Sequence, residues 1–301
     1  MKSAPFNTLN AKVSIEEYEE MFTVDEDTNE DRIEGLRDKK IIKYRRKTIK
    51  SGPILECEIY PLRSDMGLWE RPKTGQGSRL AQRNLNNKNA MKRFIRLINA
   101  NFTERDIMIG PTYENEHLPS TYEQAKKDVA NYIRRIKRYM KKHGLGELKY
   151  VYVTEFSDVD GKKVRVHHHI IMNFNDRNMA ERIWDKGRCN SNQLQPNNDW
   201  LKGIAKYMVK QRRKDSTKRY TPSRNLTHPK PTIADTKVTR KRAEKIATEQ
   251  NMAHEIFEKM YPGYQFNSMQ VKYSPFMSGA YITVEMIKID NPVRTKRRMD
   301  V

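Results

Sequence analysis

The strongest chemical signal in the sequence is the run His167, His168 and His169, inside a strand-like segment from Val166 to Met172. Side chains alternate between the two faces of a β-strand, so His167 and His169 point to one side and His168 to the other. The two imidazoles on one face are then about 6–7 Å apart along the backbone and can converge on one metal ion. The apolar residues that follow favour a buried strand, where imidazoles need partners. The pattern therefore predicts a metal site.

A third metal ligand is expected from the strand-like segment before the histidines, where Glu155 is the natural candidate. The two segments flank a turn that contains Gly161, so we expect a hairpin. If Gly161 forms a left-handed G1 bulge, Glu155 pairs with Arg165. Glu155 then shares a face with His167 and His169, whereas a tight two-residue turn would place it on the opposite face. Two imidazoles and one carboxylate suit Mg²⁺ or Mn²⁺ held against a phosphate oxygen.

A second candidate group is Tyr207 with Lys210, in a segment predicted to be a helix from Trp200 to about Arg213 with Asp199 as its cap. Residues three apart share one face of a helix. A tyrosine hydroxyl has a pKa near 10, and a nearby cation lowers the cost of its ionisation. Lys210 is therefore expected to assist Tyr207 as a nucleophile or to stabilise charge on a phosphate, with Lys206 as the weaker candidate. By itself, Tyr-x-x-Lys is common in helices, where a core tyrosine often lies beside a surface lysine.

Periodicity and turn signals predict the elements around these residues. The segment from Asp106 to Thr112 reads as a strand. Ser120 and Glu123 form a capping-box signature before a helix whose apolar residues recur from Tyr122 to Met140. The other side of this helix is densely basic, which suits either contact with phosphates or a solvated face. The C-terminal third predicts a helix near 238–261 and strands near 268–274 and 280–289.

In this order, a strand glutamate, paired histidines and a helical Tyr-x-x-Lys resemble the HUH endonucleases. The resemblance is closest to the rolling-circle replication initiators of single-stranded DNA phages and small bacterial plasmids. It is carried by Ile107–Tyr113 (IMIGPTY), the histidine run and Gly203–Lys210 (GIAKYMVK), within a layout from about Asn89 to Arg213. The resemblance implies an α+β fold in which helices flank a central antiparallel sheet of about five strands. The histidine strand would be central, with the helix of Tyr207 over it.

The resemblance also implies an activity. A metal on His167, His169 and Glu155 would polarise a phosphate of single-stranded origin DNA, and Tyr207 would attack it. The products would be a 5′-phosphotyrosine and a free 3′-OH for a host polymerase, in rolling-circle replication. The sequence contains no G-x-x-x-x-G-K-[ST] motif, so we expect unwinding to come from a host helicase or from DNA structure at the origin.

The sequence departs from part of this family at Gly203, where some phage initiators carry a second tyrosine four residues before the first. It therefore resembles a single-tyrosine variant. Relaxases place their tyrosine before the histidine motif, which argues against that class. A single-tyrosine transposase or a mobilisation nuclease stays open as an alternative. So does a non-enzymatic nucleic-acid-binding protein with structural histidines, in which Cys189 helps to hold zinc.

Composition agrees with a nucleic-acid partner. The chain has 59 Lys and Arg against 38 Asp and Glu, a formal net charge of +21, which attracts polyanions. Its two cysteines, Cys57 and Cys189, form no disulfide framework and suit a reducing compartment. No apolar run reaches the roughly 20 residues of a membrane span, and the N-terminus lacks a signal-peptide core. We therefore expect a soluble protein in the cytoplasm of a bacterial host.

Four regions are expected along the chain. Residues 1–50 read as a charged arm, acidic and then basic, and 51–88 as a strand and linker, with the linker at 70–90. Residues 89–215 would form the nicking domain, and 216–301 an α/β extension. Backbone phosphates or unpaired bases are expected to meet side chains close to the site in sequence. These are Lys206, Arg188, Arg212, Arg213, Arg219, Tyr220 and Arg224.

Overall fold

The computed structural model describes residues 36, 39–64, 80–156, 165–209, 220–274 and 277–289. The chain divides into two compact units. The central unit comprises Lys50–Ile54, Asn87–Lys230 and Ile287–Val301, and the flanking unit comprises Met1–Ile49, Leu55–Asn86 and Pro231–Met286. None of the helices described is long and apolar enough to serve as a membrane span.

The described residues form two antiparallel five-stranded sheets and six α-helices, an α+β fold as predicted. The strands are β1 (Ile41–Ser51), β2 (Ile54–Arg63), β3 (Ile107–Pro111), β4 (Tyr150–Glu155), β5 (His167–Met172), β6 (Cys189–Gln193), β7 (Thr221–Pro222), β8 (Pro231–Ala234), β9 (Tyr264–Ser274) and β10 (Met277–Lys288). The helices are α1 (Leu80–Asn101), α2 (Tyr122–Lys142), α3 (Arg177–Ile183), α4 (Lys202–Met208), α5 (Arg240–Thr248) and α6 (Ala253–Met260).

The sheet of the central unit has the order β6-β3-β5-β4-β7, so the histidine strand β5 is its middle strand. Both faces of β5 are buried. Ile170 packs with α2 and α3 in one apolar cluster, and Ile171 packs with residues of α1 and α4 in another. Because side chains alternate along a strand, His168 lies on the α2 face and His167 and His169 on the α4 face. The central position of the histidine strand and the placement of the tyrosine helix over it are confirmed.

Helix α2 follows the predicted apolar spacing, but its start differs from the prediction. The cap is Thr121, whose hydroxyl oxygen accepts a hydrogen bond from the Gln124 backbone N–H at 3.2 Å. The predicted capping box of Ser120 and Glu123 is therefore wrong. Thr121 already has the extended backbone that a cap needs, and Glu123 instead pairs with Lys126.

Helix α4 is shorter than the sequence predicts. It has seven residues and begins at Lys202, with Leu201 rather than Asp199 at the cap position. The preceding residue, Trp200, has a backbone φ of 55°, in the left-handed region that side chains rarely adopt. The buried Trp200 ring packs beneath α4 in the same cluster as Ala205. The chain thus turns sharply into the tyrosine helix, and residues 210–219 lie outside the described residues.

The flanking unit contains a second sheet, β8-β1-β2-β10-β9, whose core includes Leu55, Cys57 and Phe257. Its first strand contradicts the prediction of an arm over residues 41–50. The basic block forms a strand because its buried side chains join this core, while Arg45 pairs with Asp235 at 2.7 Å. The predicted linker is also wrong from Leu80 onward, where α1 begins. The C-terminal helix prediction corresponds to two helices, α5 and α6, separated by a short 3-10 turn at Gln250–Met252.

Candidate active site

Three side chains on adjacent strands point their ligand atoms at one another. Nε2 of His167 lies 3.0 Å from Glu155 Oε2, and Nε2 of His169 lies 3.2 Å from Glu155 Oε1. All three ligand atoms lie within 4.8 Å of one another. The site is sheltered, since Glu155 and His169 are each 8% exposed and His167 is 24% exposed. This group can hold a metal ion.

The register of β4 and β5 puts Glu155 on the histidine face, but not through the predicted pair. Glu155 lies opposite His167, two residues beyond the predicted partner Arg165. A shift of two residues preserves the face on which a side chain lies, so the predicted face is confirmed. The hairpin connection is correspondingly longer, and the predicted bulge at Gly161 lies outside the described residues.

The backbone of Arg165 orients the first histidine. Nδ1 of His167 lies 2.8 Å from the Arg165 carbonyl oxygen, which accepts its proton and leaves Nε2 facing Glu155. The Arg165 guanidinium donates to the backbone oxygen of Tyr113 at 2.8 and 3.1 Å and to Asn115 Oδ1 at 2.8 Å. One residue therefore holds the ring of His167 and also ties the start of β5 to the segment after β3.

The charges in the cluster are strongly coupled. Burial alone would raise the pKa of Glu155, but hydrogen bonds from His167 and His169 lower it to about 2. The hydrogen bond with Glu155 raises the pKa of His167. The carboxylate is thus ionised at neutral pH and demands positive charge beside it. Two imidazole nitrogens and one such carboxylate fit a divalent cation, which would meet that demand.

Tyr207 lies next to this cluster. Its ring centroid is 5.1 Å from that of His169, in an edge-to-face arrangement. The side chain is 57% exposed, although Ala205 and Met208 of the same helix are buried in the sheet-facing cluster. Helix α4 therefore anchors itself with its apolar face and presents Tyr207 both to the metal ligands and to solvent. Lys210 lies outside the described residues.

The opposite face of β5 carries a second polar arrangement, which the sequence did not predict. His168 is fully buried, with Nε2 2.8 Å from the Tyr113 hydroxyl and Nδ1 3.0 Å from Thr154 Oγ1. Burial lowers the pKa of His168 to about 3 and raises that of Tyr113, so both groups are neutral at pH 7. Tyr113 closes the quoted IMIGPTY block, which was the available signal. The alternation argument had placed His168 on this face without a partner.

The other predicted DNA-binding residues have different placements. Lys206, Arg188 and Arg224 are exposed, whereas Tyr220 packs on Phe94 with ring centroids 4.4 Å apart. Each of these roles stays a prediction. Arg212, Arg213 and Arg219 lie outside the described residues.

Cys189 does not support the zinc alternative. It lies on the edge strand β6, in the apolar cluster on the α2 face of the sheet, whereas His167 and His169 lie on the α4 face. Burial raises the pKa of its thiol to about 12, which disfavours the thiolate that binds zinc.

Comparison with known proteins places this site in a family. Residues 106–215 match the family model of the replication-associated protein ORF2, a type of rolling-circle replication initiator. The matched stretch contains Glu155, the histidine run and Tyr207. The predicted resemblance to replication initiators is therefore confirmed. Neither the curated proteins nor the solved structures yielded a match to the chain.

Proposed function

Because residues 106–215 carry the domain of this replication-associated protein family, we propose that this replication initiator nicks single-stranded origin DNA with Tyr207. The supporting observation is the 5.1 Å separation between the rings of Tyr207 and His169. It places an exposed tyrosine beside a buried group of metal ligands. A nucleophile that must meet a polymer needs both features, because the strand enters from solvent and reacts where its charge is stabilised.

The proposed step is a transesterification. The Tyr207 oxygen forms a bond to phosphorus while the bond between phosphorus and the 3′ oxygen breaks. The phenolic proton leaves to solvent, and the departing 3′ oxygen takes up a proton to become a free 3′-OH. The 5′ side of the strand stays attached as a phosphotyrosine. Lys210, three residues after Tyr207, or the exposed Lys206 beside it, would stabilise the tyrosinate and the charge on the phosphate.

The proposed cation is Mg²⁺ or Mn²⁺, held by Glu155, His167 and His169. When bound, such a cation supplies a Lewis acid for a phosphate oxygen. The chain itself contributes orientation: the Arg165 carbonyl fixes the ring of His167. Burial limits water around Glu155, which strengthens its electrostatic interactions.

The proposed partners follow from the products. A free 3′-OH serves a host polymerase, and a host helicase would unwind the duplex ahead of it. The reaction would take place in the cytoplasm of a bacterial host, on the origin of a phage or plasmid replicon.

A covalent-trapping experiment tests the proposal. Full-length protein is incubated with Mn²⁺ and a pool of labelled single-stranded oligonucleotides, and denaturing gels are read for a protein–DNA band. We expect an adduct with the wild type and none with Tyr207→Phe or His169→Ala. Tyr281→Phe, in the flanking unit, is the matched control and should keep the band.

The outcomes separate the alternatives. An adduct that survives Tyr207→Phe excludes Tyr207 as the nucleophile. Salt-sensitive DNA binding with no cleavage of any oligonucleotide would support the non-enzymatic binding protein. If cleavage occurs, sequencing of the nicked strands distinguishes an origin from the ends of a transposon or from a transfer origin.

A further inference from the structure

The outer side of α2 carries a ridge of positive charge on the sheet face opposite the candidate active site. The apolar residues of α2, such as Val129 and Ile136, are buried against the sheet. At 100° per residue, the side chains that point directly away from them include Lys127, Arg134, Arg138 and Lys141, which are all exposed. We call these four residues the α2 ridge. It spans 14 residues, or about 21 Å along the helix axis.

Acidic groups neutralise the flanks of the helix but not the ridge. On the flanks, Lys126 pairs with Glu123 at 3.2 Å, and Arg135 pairs with Asp185. Within the part of the chain that the structure describes, the ridge residues have no carboxylate partner, and Arg134 contacts only an amide oxygen of Asn131. Four cations held in a row without counter-charge require mobile anions, and a polyanion binds there by releasing its own counterions.

The positive surface continues beyond the ridge onto the edge of the central sheet. Lys137 Nζ lies 5.5 Å from the ring centroid of Tyr150. The backbone of Tyr150 is hydrogen-bonded to Ser223, at 2.8 Å from its carbonyl oxygen, and the next residue is the exposed Arg224. Lys137 and Arg224 therefore extend the same surface around one end of the sheet.

This surface cannot serve the strand that reacts with Tyr207. The metal ligands and Tyr207 lie on the α4 face, whereas α2 packs on the His168 face. The sheet and the thickness of α2, about 10 Å, separate the ridge from the site. A nucleic acid on the ridge is thus a different segment from the one being nicked.

We propose that the α2 ridge, with Lys137 and Arg224, binds the phosphate backbone of duplex DNA beside the nick site. The inference rests on the proposed function for its biological setting. Duplex fits better than single strand, because single strands are held by stacking on aromatic rings. The ridge itself offers only charge, and the tyrosines of α2 beside it are engaged: Tyr139 packs on Phe174, and Tyr122 packs on Phe156. The ridge length corresponds to about six base pairs of duplex.

The test compares two charge-neutralising variants by fluorescence anisotropy with a labelled duplex at several salt concentrations. The first is Arg134→Gln with Arg138→Gln and Lys141→Gln. The matched control removes three exposed charges from the flanking unit, through Lys241→Gln, Arg242→Gln and Lys259→Gln. All six positions are exposed on helices, where glutamine is a good helix former. A third variant, Arg134→Lys with Arg138→Lys, keeps the ridge charge.

We expect the ridge variant to lose about a hundredfold in duplex affinity at 0.1 M salt, with the salt slope reduced by about 2–3. The control and the lysine variant should bind as the wild type does. Unchanged duplex affinity in the ridge variant, or an equal loss in the control, overturns the proposal. A loss of single-strand adduct formation with duplex affinity intact also overturns it. Tyr207→Phe must keep duplex binding, so failure of the nicking proposal would leave this result readable.

Discussion

The hydroxyl of Tyr113 lies 2.8 Å from Nε2 of His168, on the side of the central strand away from the metal ligands. Thr154 Oγ1 holds the other ring nitrogen at 3.0 Å. The middle histidine is therefore pinned between β4 and the residue that follows the β3 edge. Because successive side chains of one strand leave the same backbone in opposite directions, fixing His168 also fixes the direction of His167 and His169.

We expect His168→Leu to lower the free energy of unfolding by about 1–3 kcal/mol, because it leaves the Tyr113 and Thr154 hydroxyls buried without partners. Its affinity for Mn²⁺ should fall about tenfold through loss of positioning, although no ligand atom is removed. Urea unfolding in chelator measures the first effect and isothermal titration with Mn²⁺ the second.

Tyr113→Phe is the matched control for this prediction. It keeps the ring and removes only the hydroxyl, so a loss of about 1 kcal/mol is expected. A His168→Leu protein with wild-type stability and Mn²⁺ affinity would show that the buried network does not position the site.

Glu155→Gln should abolish stabilisation by metal. The wild type is expected to unfold at a higher temperature when Mn²⁺ is added, by an amount that corresponds to about 2.7 kcal/mol at a hundred times its dissociation constant. Glu155→Gln loses the carboxylate charge and should show little shift. Glu116→Gln removes an exposed carboxylate of the same unit and should respond as the wild type. An equal thermal shift in all three proteins would place the cation elsewhere.

Local patterns were sufficient for much of the site. The run at His167–His169 gave the strand and its two faces, since alternation follows from backbone geometry alone. The face of Glu155 was predicted correctly through a register that is wrong by two residues, because face depends only on parity. The partners of His168 were not predictable, because Tyr113 lies 55 residues away and meets it only through strand pairing.

Charge patterns were less reliable guides. The basic block before Lys50 suggested a solvated arm, but its strand is completed by partners from the C-terminal third. Thr48 pairs with Thr232, and Arg45 with Asp235. Such pairings depend on segments about 190 residues apart, and composition carries no record of them. Similarly, the polar residues up to Asn89 suggested a linker, although they begin a helix whose later turns are apolar on one side.

The two buried thiols should report on the two units separately. Burial raises the pKa of Cys57, in the flanking unit, to about 11 and that of Cys189, in the central unit, to about 12. At pH 8 the thiolate fraction is about one in a thousand or less, so neither should react with Ellman's reagent in the native protein. Because both pKa values are raised in the folded state, this contribution to stability is present below about pH 8.5 and is lost as the pH rises towards 11.

The measurement uses Cys57→Ser and Cys189→Ser, each of which leaves one thiol, across a urea gradient at pH 8. Each thiol should become reactive where its own unit unfolds. Rapid labelling of either variant without urea would contradict the burial of that thiol.

Gly203 offers a direct test of the single-tyrosine geometry. It is exposed one helical turn before Tyr207, and a side-chain carbon added there would meet no atom within 4 Å. Gly203→Tyr should therefore fold normally. In a Tyr207→Phe background we expect it to restore the covalent DNA adduct about a hundredfold more slowly than the wild type, because the new hydroxyl approaches the phosphate from a displaced position. The trapping gel measures this rate. Gly203→Phe in the same background controls for ring bulk and should give no adduct. If Gly203→Tyr also gives none while duplex binding is retained, the reactive phosphate is accessible only from position 207, and a second copy of the chain or a water molecule must complete strand transfer.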